Sequence, residues 1–193
     1  MQFKKAIDFI LNRLVNELPQ HLSYHNMHHA WDVYTAAAMI GKQEGISVMD
    51  TKLLLTAASY HDAGFLKAAV GHEEESCRIA ANTLPAFGYK SAEIEKICGL
   101  IRATKIPQFP KNHLEETLAD ADLDYLGRDD FFSTGHLLFN EMLLSGVVNN
   151  EEEWNRVQVR FMESHHYFTQ TSVNLRSAKK EQHFKQVKAK LNT

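Results

Sequence analysis

Apolar residues recur at helical spacing along almost the whole chain, and proline and glycine interrupt the pattern at intervals. In the first run, Phe3–Leu14, the apolar residues lie three and four positions apart, and Pro19 follows soon after. This spacing places apolar side chains on one face of an amphipathic helix. The alternation that is typical of strands is almost absent. The sequence therefore predicts an all-α bundle of eight or nine helices.

Length and composition are those of a globular domain. The chain has 193 residues, of which 44% are hydrophobic and 23% charged, which is enough for a sizeable core and is not typical of disordered or membrane proteins. No apolar run approaches the ~20 residues of a membrane span, and Met1–Lys5 leads into an amphipathic helix rather than a signal sequence. We expect a single domain over residues 1–193 and no membrane association.

The net charge indicates which partners to expect, and the cysteines indicate the redox compartment. The net charge of −3 gives no general attraction for a nucleic acid polymer. Cys77 and Cys98 lack the spacing of a metal site and lie in helical patterns, so we expect buried free thiols in a reducing compartment. The expected location is the cytoplasm.

Three separate segments carry histidine and aspartate beside other polar residues. They read Y-H-N-M-H-H-A-W-D-V (Tyr24–Val33), S-Y-H-D-A-G-F (Ser59–Phe65) and L-A-D-A-D-L-D-Y-L-G (Leu118–Gly127). Mixed imidazole and carboxylate ligands suit a borderline or hard divalent cation and disfavour a thiolate-type structural zinc site. Two imidazoles and two carboxylates would leave positions on an octahedral ion for water and substrate oxygens, which is typical of a hydrolytic metal centre.

The order H…HD…D resembles the HD superfamily of metal-dependent phosphohydrolases. The first segment is also similar to the Y-H-N-x-x-H-A-x-D-V signature of the cyclic-nucleotide phosphodiesterases, and A-D-L at 121–123 matches their later A-D-L. The resemblance covers about residues 22–144, with an N-terminal helix and C-terminal helices packed on this core. It implies an HD-domain helical bundle that cleaves a phosphoester or phosphoanhydride bond in a small, nucleotide-like molecule.

By this resemblance, four side chains are the metal ligands: His29, His61, Asp62 and Asp122. The cofactor is then one divalent ion, for which Mn, Fe, Co, Ni, Zn and Mg remain open. Within D-A-D-L-D, Asp120 is the alternative to Asp122, and one of the neighbouring carboxylates is expected to orient a ligand imidazole. Ala103 stands where binuclear relatives have a further histidine, so we expect a mononuclear centre.

Three further residues are candidates for proton transfer. His25 and His29 are four positions apart, which predicts that they project from one helical face. His25 is then positioned to protonate a leaving-group oxygen or to hold substrate phosphate. By the resemblance, Glu73 is the candidate to activate or position water, with His72 beside it in the pocket. The alternative for Glu73 is compensation of the helix dipole in a first turn.

Three cations are candidate phosphate contacts. Lys105 follows a helix end, and Arg176 and Lys180 lie four apart on the basic last helix. Arginine offers a planar fork for phosphate oxygens and lysine a point charge. The alternative is a solvated helix face. Because the sequence shows no obvious acidic counterpart to this helix, and the dipole disfavours a cation near its start, a phosphate role is favoured for Arg176.

Two other functions remain open. One is a non-catalytic HD module that binds metal or nucleotide in signalling, and the other is an oxygenase on the same scaffold. An intact ligand set favours an enzyme over the module. The residue Ala103 disfavours the oxygenase, because those relatives need a dinuclear iron centre.

Overall fold

A computed structural model describes residues 1–191 of the chain. They form nine α-helices: α1 Phe3–Glu17, α2 Met27–Gln43, α3 Val48–Tyr60, α4 His72–Thr83, α5 Ser91–Ala103, α6 His113–Asp122, α7 Phe131–Leu144, α8 Glu151–Ser164 and α9 Gln170–Lys190. Three short 3-10 helices, Ala63–Leu66, Leu84–Phe87 and Asp124–Gly127, join some of them. Residues 1–191 contain no strand and no helix long and apolar enough to cross a membrane. The predicted all-α architecture is confirmed.

Helices α1 to α6 together form the main hydrophobic core, with α3 at its centre. Every residue of α3 from Leu53 to Tyr60 is buried, so this helix is covered on all sides. Cys77 and Cys98 lie in the same core as free thiols, as predicted. Because α3 is enclosed by its neighbours, the residues that directly follow its last turn are held in a fixed position.

A second, smaller apolar cluster joins the C-terminal helices to the rest of the bundle. Its buried members include Leu126 of the 3-10 helix Asp124–Gly127, Phe131 of α7, Met162 of α8 and Val187 of α9. Tyr24, which precedes α2, also belongs to it. This cluster therefore brings α7, α8 and α9 against the chain segments that carry the histidine and aspartate motifs.

Gly127 serves close packing and not helix capping. Helix α6 ends at Asp122, and Gly127 is not among the glycines with positive φ, so it does not cap a helix in the left-handed conformation. A Cβ atom on Gly127 would lie 2.5 Å from both the Cβ and the carbonyl oxygen of Arg176. Glycine is therefore required because α9 passes too close for a side chain.

We expect Gly127→Ala to lower the free energy of unfolding by about 1–3 kcal/mol, because the added methyl group overlaps α9. Gly135→Ala is the matched control, since the nearest atom to its added Cβ is 3.7 Å away and alanine favours a helix interior. Urea denaturation of the two variants and the wild type measures the difference. Equal midpoints for Gly127→Ala and the wild type would contradict this explanation.

Candidate metal centre

Three helix ends bring the four predicted ligands together. His29 lies in the first turn of α2, His61 and Asp62 directly follow α3, and Asp122 is the last residue of α6. The Nε2 atoms of His29 and His61 are 3.3 Å apart. Oδ1 of Asp122 lies 3.2 Å from Nε2 of His29 and 3.3 Å from Nε2 of His61. His61 and Asp62 are adjacent in sequence, and both reach the cluster because α3 ends at Tyr60, directly before them.

The asparagine of the Y-H-N motif determines where α2 begins. The Asn26 side chain accepts hydrogen bonds from the backbone N–H groups of His28 and His29 at 2.8 and 3.4 Å, which caps the helix. The prediction that His25 and His29 share a helical face is therefore wrong, because His25 precedes the cap. His29 is held in the first turn, and its ring packs against Tyr24 at a centroid distance of 4.5 Å.

The protonation of His61 leaves one nitrogen directed into the cluster. Its Nδ1 donates a hydrogen bond of 2.8 Å to the carbonyl oxygen of Ala58. Nε2 then points into the cluster, where a cation could take the place of its proton. Burial alone would lower the pKa of His61, but the carboxylates of Asp62 and Asp122 outweigh it and raise that pKa well above its usual value.

Asp62 has a buried oxygen that lacks a hydrogen bond. Its Oδ2 lies 3.2 Å from Nε2 of His61 and 3.4 Å from Nε2 of His29, yet no hydrogen bond reaches it. Such a buried carboxylate oxygen costs free energy unless a cation or donor satisfies it. His29, His61 and Asp122 form a group whose ligand atoms all lie within 4.8 Å of one another, which suits a metal ion, and Oδ2 of Asp62 is close to both imidazoles of this group. The residues present therefore fit a divalent cation.

His25 forms a pair with Glu141, a residue that the sequence analysis missed. Nδ1 of His25 is hydrogen bonded to Oε1 of Glu141, and Oε2 accepts the backbone N–H groups of Tyr24 and His25 at 3.0 and 3.1 Å. Burial alone would raise the pKa of Glu141, but these hydrogen bonds lower it below its usual value. Phe65 stacks on the His25 ring at 4.2 Å. The His25 imidazole is thus held at one edge by the Glu141 carboxylate and on one face by the Phe65 ring. The only sequence signal was a charged residue within an apolar stretch of α7.

His72 and Glu73 lie beside Asp62 at the start of α4. Nε2 of His72 is 3.3 Å from Oδ1 of Asp62 and 3.8 Å from Oε1 of Glu73, and Glu73 is only 8% exposed. Gly64 allows this approach, because a Cβ atom there would lie 2.0 Å from the carbonyl oxygen of His72. Both residues therefore belong to the pocket, as predicted by their place after the His-Asp pair.

A cavity of about 400 Å³ opens from this cluster. Its lining includes six of the seven residues predicted as ligands or proton-transfer groups: His25, His29, Asp62, His72, Glu73 and Asp122. His61 is buried behind them, at 2% exposure. The remaining lining is mostly apolar, and the larger part of it comes from the 3-10 helix Asp124–Gly127, α7 and α8. The arrangement can hold a cation at one end and a small molecule against it.

No family model and no curated protein matches this sequence. Two solved structures are similar. A predicted HD superfamily hydrolase from an uncultured Thermotogales bacterium aligns with a TM-score of 0.64 and 18% identity, over 96% of this chain and 91% of that one. This chain has the same fold as that HD superfamily hydrolase. Bacillus subtilis YpgQ in complex with ADP aligns with a TM-score of 0.66 and 19% identity, over 98% of this chain and 97% of that one.

Within the HD fold, the two other aspartates of D-A-D-L-D serve the C-terminal helices. Asp120 accepts hydrogen bonds from the backbone N–H groups of Phe168 and Thr169 at 2.9 and 2.8 Å, just before α9. Asp124 binds Arg176 through two hydrogen bonds of 2.7 and 3.0 Å. The expectation that one of them orients a ligand imidazole is therefore wrong, and the Ala58 carbonyl orients His61 instead.

None of the three predicted phosphate-binding cations lines the cavity of the HD fold. Lys105 is exposed and does not belong to its lining. Arg176 is paired with Asp124, and the Lys180 ammonium donates to the carbonyl oxygen of His165. The premise that α9 lacks acidic counterparts is wrong, since Arg176 pairs with Asp124 and Lys179 with Asp129. None of the three is carried into the proposed function.

Proposed function

We propose that this HD-fold chain is a metal-dependent phosphohydrolase that cleaves a phosphoester or phosphoanhydride bond in a small, nucleotide-like molecule. The observation that carries the proposal is the cluster of two Nε2 atoms and two carboxylates around a buried oxygen without a hydrogen bond, at the end of a cavity. The ADP bound to the similar YpgQ supports a nucleotide-like ligand.

The proposed ligands are His29, His61, Asp62 and Asp122. A divalent ion at such a site supplies Lewis-acid polarisation of a phosphoryl oxygen and lowers the pKa of water. The two carboxylates offset the charge of the cation, and the Ala58 carbonyl keeps His61 in the orientation that binding requires. The preformed side chains reduce the free energy that binding would otherwise spend on ordering them.

His25 is the proposed proton donor to the leaving-group oxygen. Its Nδ1 is held by Glu141, and its ring lines the cavity, so Nε2 is the nitrogen available to substrate. The Glu141 carboxylate fixes the orientation of the imidazole, which a proton donor at this position needs. Glu73, with His72 beside it, is proposed to position the attacking water, because its buried carboxylate faces the same end of the cavity.

We expect His25→Ala to lower kcat about 10²–10⁴-fold, the usual contribution of a general acid. Glu141→Gln keeps the shape but replaces the carboxylate that holds Nδ1 of His25 and two backbone N–H groups. We therefore expect it to lower kcat, though less than His25→Ala does. Substrates with a good leaving group, such as p-nitrophenyl esters, should be affected least. A kcat of Glu141→Gln equal to that of the wild type would contradict the proposed pair.

A hydrolysis screen tests the proposed function. Chelator-treated protein is assayed with phosphomonoesters, cyclic nucleotides, nucleoside triphosphates and dinucleoside polyphosphates, with and without each of the six candidate metals. At least one compound should be hydrolysed only when metal is restored. Turnover that is the same with and without metal for every compound would overturn the proposal, and the alternative of a metal- or nucleotide-binding module would replace it.

A further inference from the structure

The two ends of the cavity have different chemistry, and from this we infer the substrate class: a monoester that carries a single phosphoryl group on an apolar, ring-sized body. The inference rests on the proposed function and narrows it. One end holds the imidazoles and carboxylates described above. We call the rest of the lining, which is mostly apolar, the apolar end: its side chains include Leu126, Phe131, Leu138, Met142, Trp154 and Val157, and Gln158 also lines it.

The lining offers no fixed cation for additional phosphates. Among the described residues that form it there is no lysine or arginine, and its carboxylates are Asp62, Glu73 and Asp122. A divalent cation offsets two of these three negative charges, and the only other groups able to carry positive charge are imidazoles. A second or third phosphate would therefore enter without the basic side chains that normally bind it.

Two arginines close to the 3-10 helix Asp124–Gly127 are bound to carboxylates elsewhere. Arg128 makes hydrogen bonds to Asp32 and Asp130 of 2.8 and 2.6 Å, and Arg176 is bound to Asp124. Releasing either would leave a carboxylate without its partner, and Asp124 is buried. Arg128 and Arg176 connect separate parts of the bundle through these bonds, so they are not available to bind a polyanionic substrate.

The apolar end instead favours a body with little polar surface. Burying a charged phosphate against Leu138 and Val157 would cost free energy, whereas an aromatic or aliphatic body gains from leaving water. The cavity volume of about 400 Å³ lies within the range of small-molecule sites, roughly 300–1,000 Å³. With the phosphoryl group at the metal cluster, the body of the ester extends into this apolar end.

The inferred reaction is hydrolysis of the monoester P–O bond. The oxygen of one water molecule bonds to phosphorus, the bond from phosphorus to the ester oxygen breaks, and His25 supplies the proton that the departing alcohol oxygen takes up. The water's proton passes to Glu73. The products are inorganic phosphate and the apolar alcohol, and no oxidant, reductant or second substrate is needed.

Two matched comparisons of kcat/KM test the inference at a fixed metal concentration. 2-Phenylethyl phosphate against glycerol 3-phosphate compares the bodies of two alkyl esters with similar leaving groups, and AMP against ADP adds a second phosphate together with an anhydride bond. We expect at least a tenfold preference for the first compound of each pair, since even one methylene changes specificity about 10–200-fold. Metal-dependent turnover in which ADP or glycerol 3-phosphate is preferred would overturn the inference alone. No metal-dependent turnover of any compound would overturn the proposed function as well.

Tryptophan fluorescence gives a second readout that does not depend on turnover. Trp154 lines the apolar end, while Trp31 is 51% exposed on α2, and the chain has two tryptophans in all. In Trp31→Phe, the emission of Trp154 should change in a saturable way with 1-naphthylmethylphosphonate and not with methylenediphosphonate. Equal responses to the two phosphonates would overturn the inference.

A charge placed at the apolar end should reverse the preference. Met142→Lys puts an ammonium group into the cavity, and we expect its AMP to ADP ratio of kcat/KM to fall at least tenfold. Leu137→Lys is the control, because Leu137 is 44% exposed on the same helix and lies outside the lining. Circular dichroism confirms that both variants fold. An unchanged ratio in folded Met142→Lys would contradict the assignment of the apolar end to the substrate body.

Discussion

Asp122→Ala is expected to lower kcat/KM for metal-dependent hydrolysis by about 10³-fold, which corresponds to ~4 kcal/mol of lost transition-state stabilisation. Its Oδ1 lies within 3.3 Å of the Nε2 atoms of both His29 and His61, so its removal opens one side of the cluster. The two imidazoles hold the pKa of Asp122 at about 2 despite its burial. The carboxylate is therefore ionised and available to a cation at neutral pH.

The fold should survive this change. Asp122 is the last residue of α6, and that helix is stabilised by the Asn112 cap and by buried Leu114 and Leu118. Asp129→Ala is the control, since the Asp129 side chain is 94% exposed and its surface ion pair with Lys179 contributes little to stability. Activity of folded Asp122→Ala within about threefold of the Asp129→Ala control would remove this carboxylate from the proposed site.

His61→Ala and Asp62→Ala are each expected to abolish retention of metal by the purified protein. His61 supplies an Nε2 lone pair fixed by the Ala58 carbonyl, and Asp62 supplies the buried Oδ2 that no hydrogen bond satisfies. Loss of either leaves too few groups to compete with water for the ion. Elemental analysis after dialysis against metal-free buffer measures the content.

His28→Ala is the matched control for this experiment. His28 is the exposed neighbour of His29 in the first turn of α2, and only its backbone N–H takes part in the Asn26 cap. The control should keep the metal content of the wild type. Metal bound equally by the wild type, the control and both site variants would show that the ion binds elsewhere.

The helical periodicity and the three motifs predicted much of the molecule. The all-α fold follows from apolar spacing, and the ordered motifs singled out side chains that do converge at three helix ends. The local geometry around the site was harder to predict from the sequence. The spacing of His25 and His29 suggested a shared helical face, but the Asn26 cap starts the helix between them. A cap within a motif changes the geometry that spacing alone implies.

Contacts between distant segments were beyond a sequence-based prediction. Glu141 holds His25 across a separation of 116 residues, and Asp124 holds Arg176 across 52. No periodic pattern encodes such partners, because they depend on how α7 and α9 pack on the bundle. For the same reason, the sequence suggested phosphate as the partner of Arg176 and Lys180. Their acceptors are Asp124 and the carbonyl oxygen of His165.

The most direct test of the metal centre is anomalous scattering from crystals grown with Mn²⁺ and measured on both sides of the manganese edge. The site proposed from His29, His61, Asp62 and Asp122, together with Ala103 in place of a further histidine, predicts one strong peak among those four side chains. Two comparably strong peaks about 3.5–4 Å apart would contradict the mononuclear centre. The absence of any peak within the cluster would contradict the metal site itself.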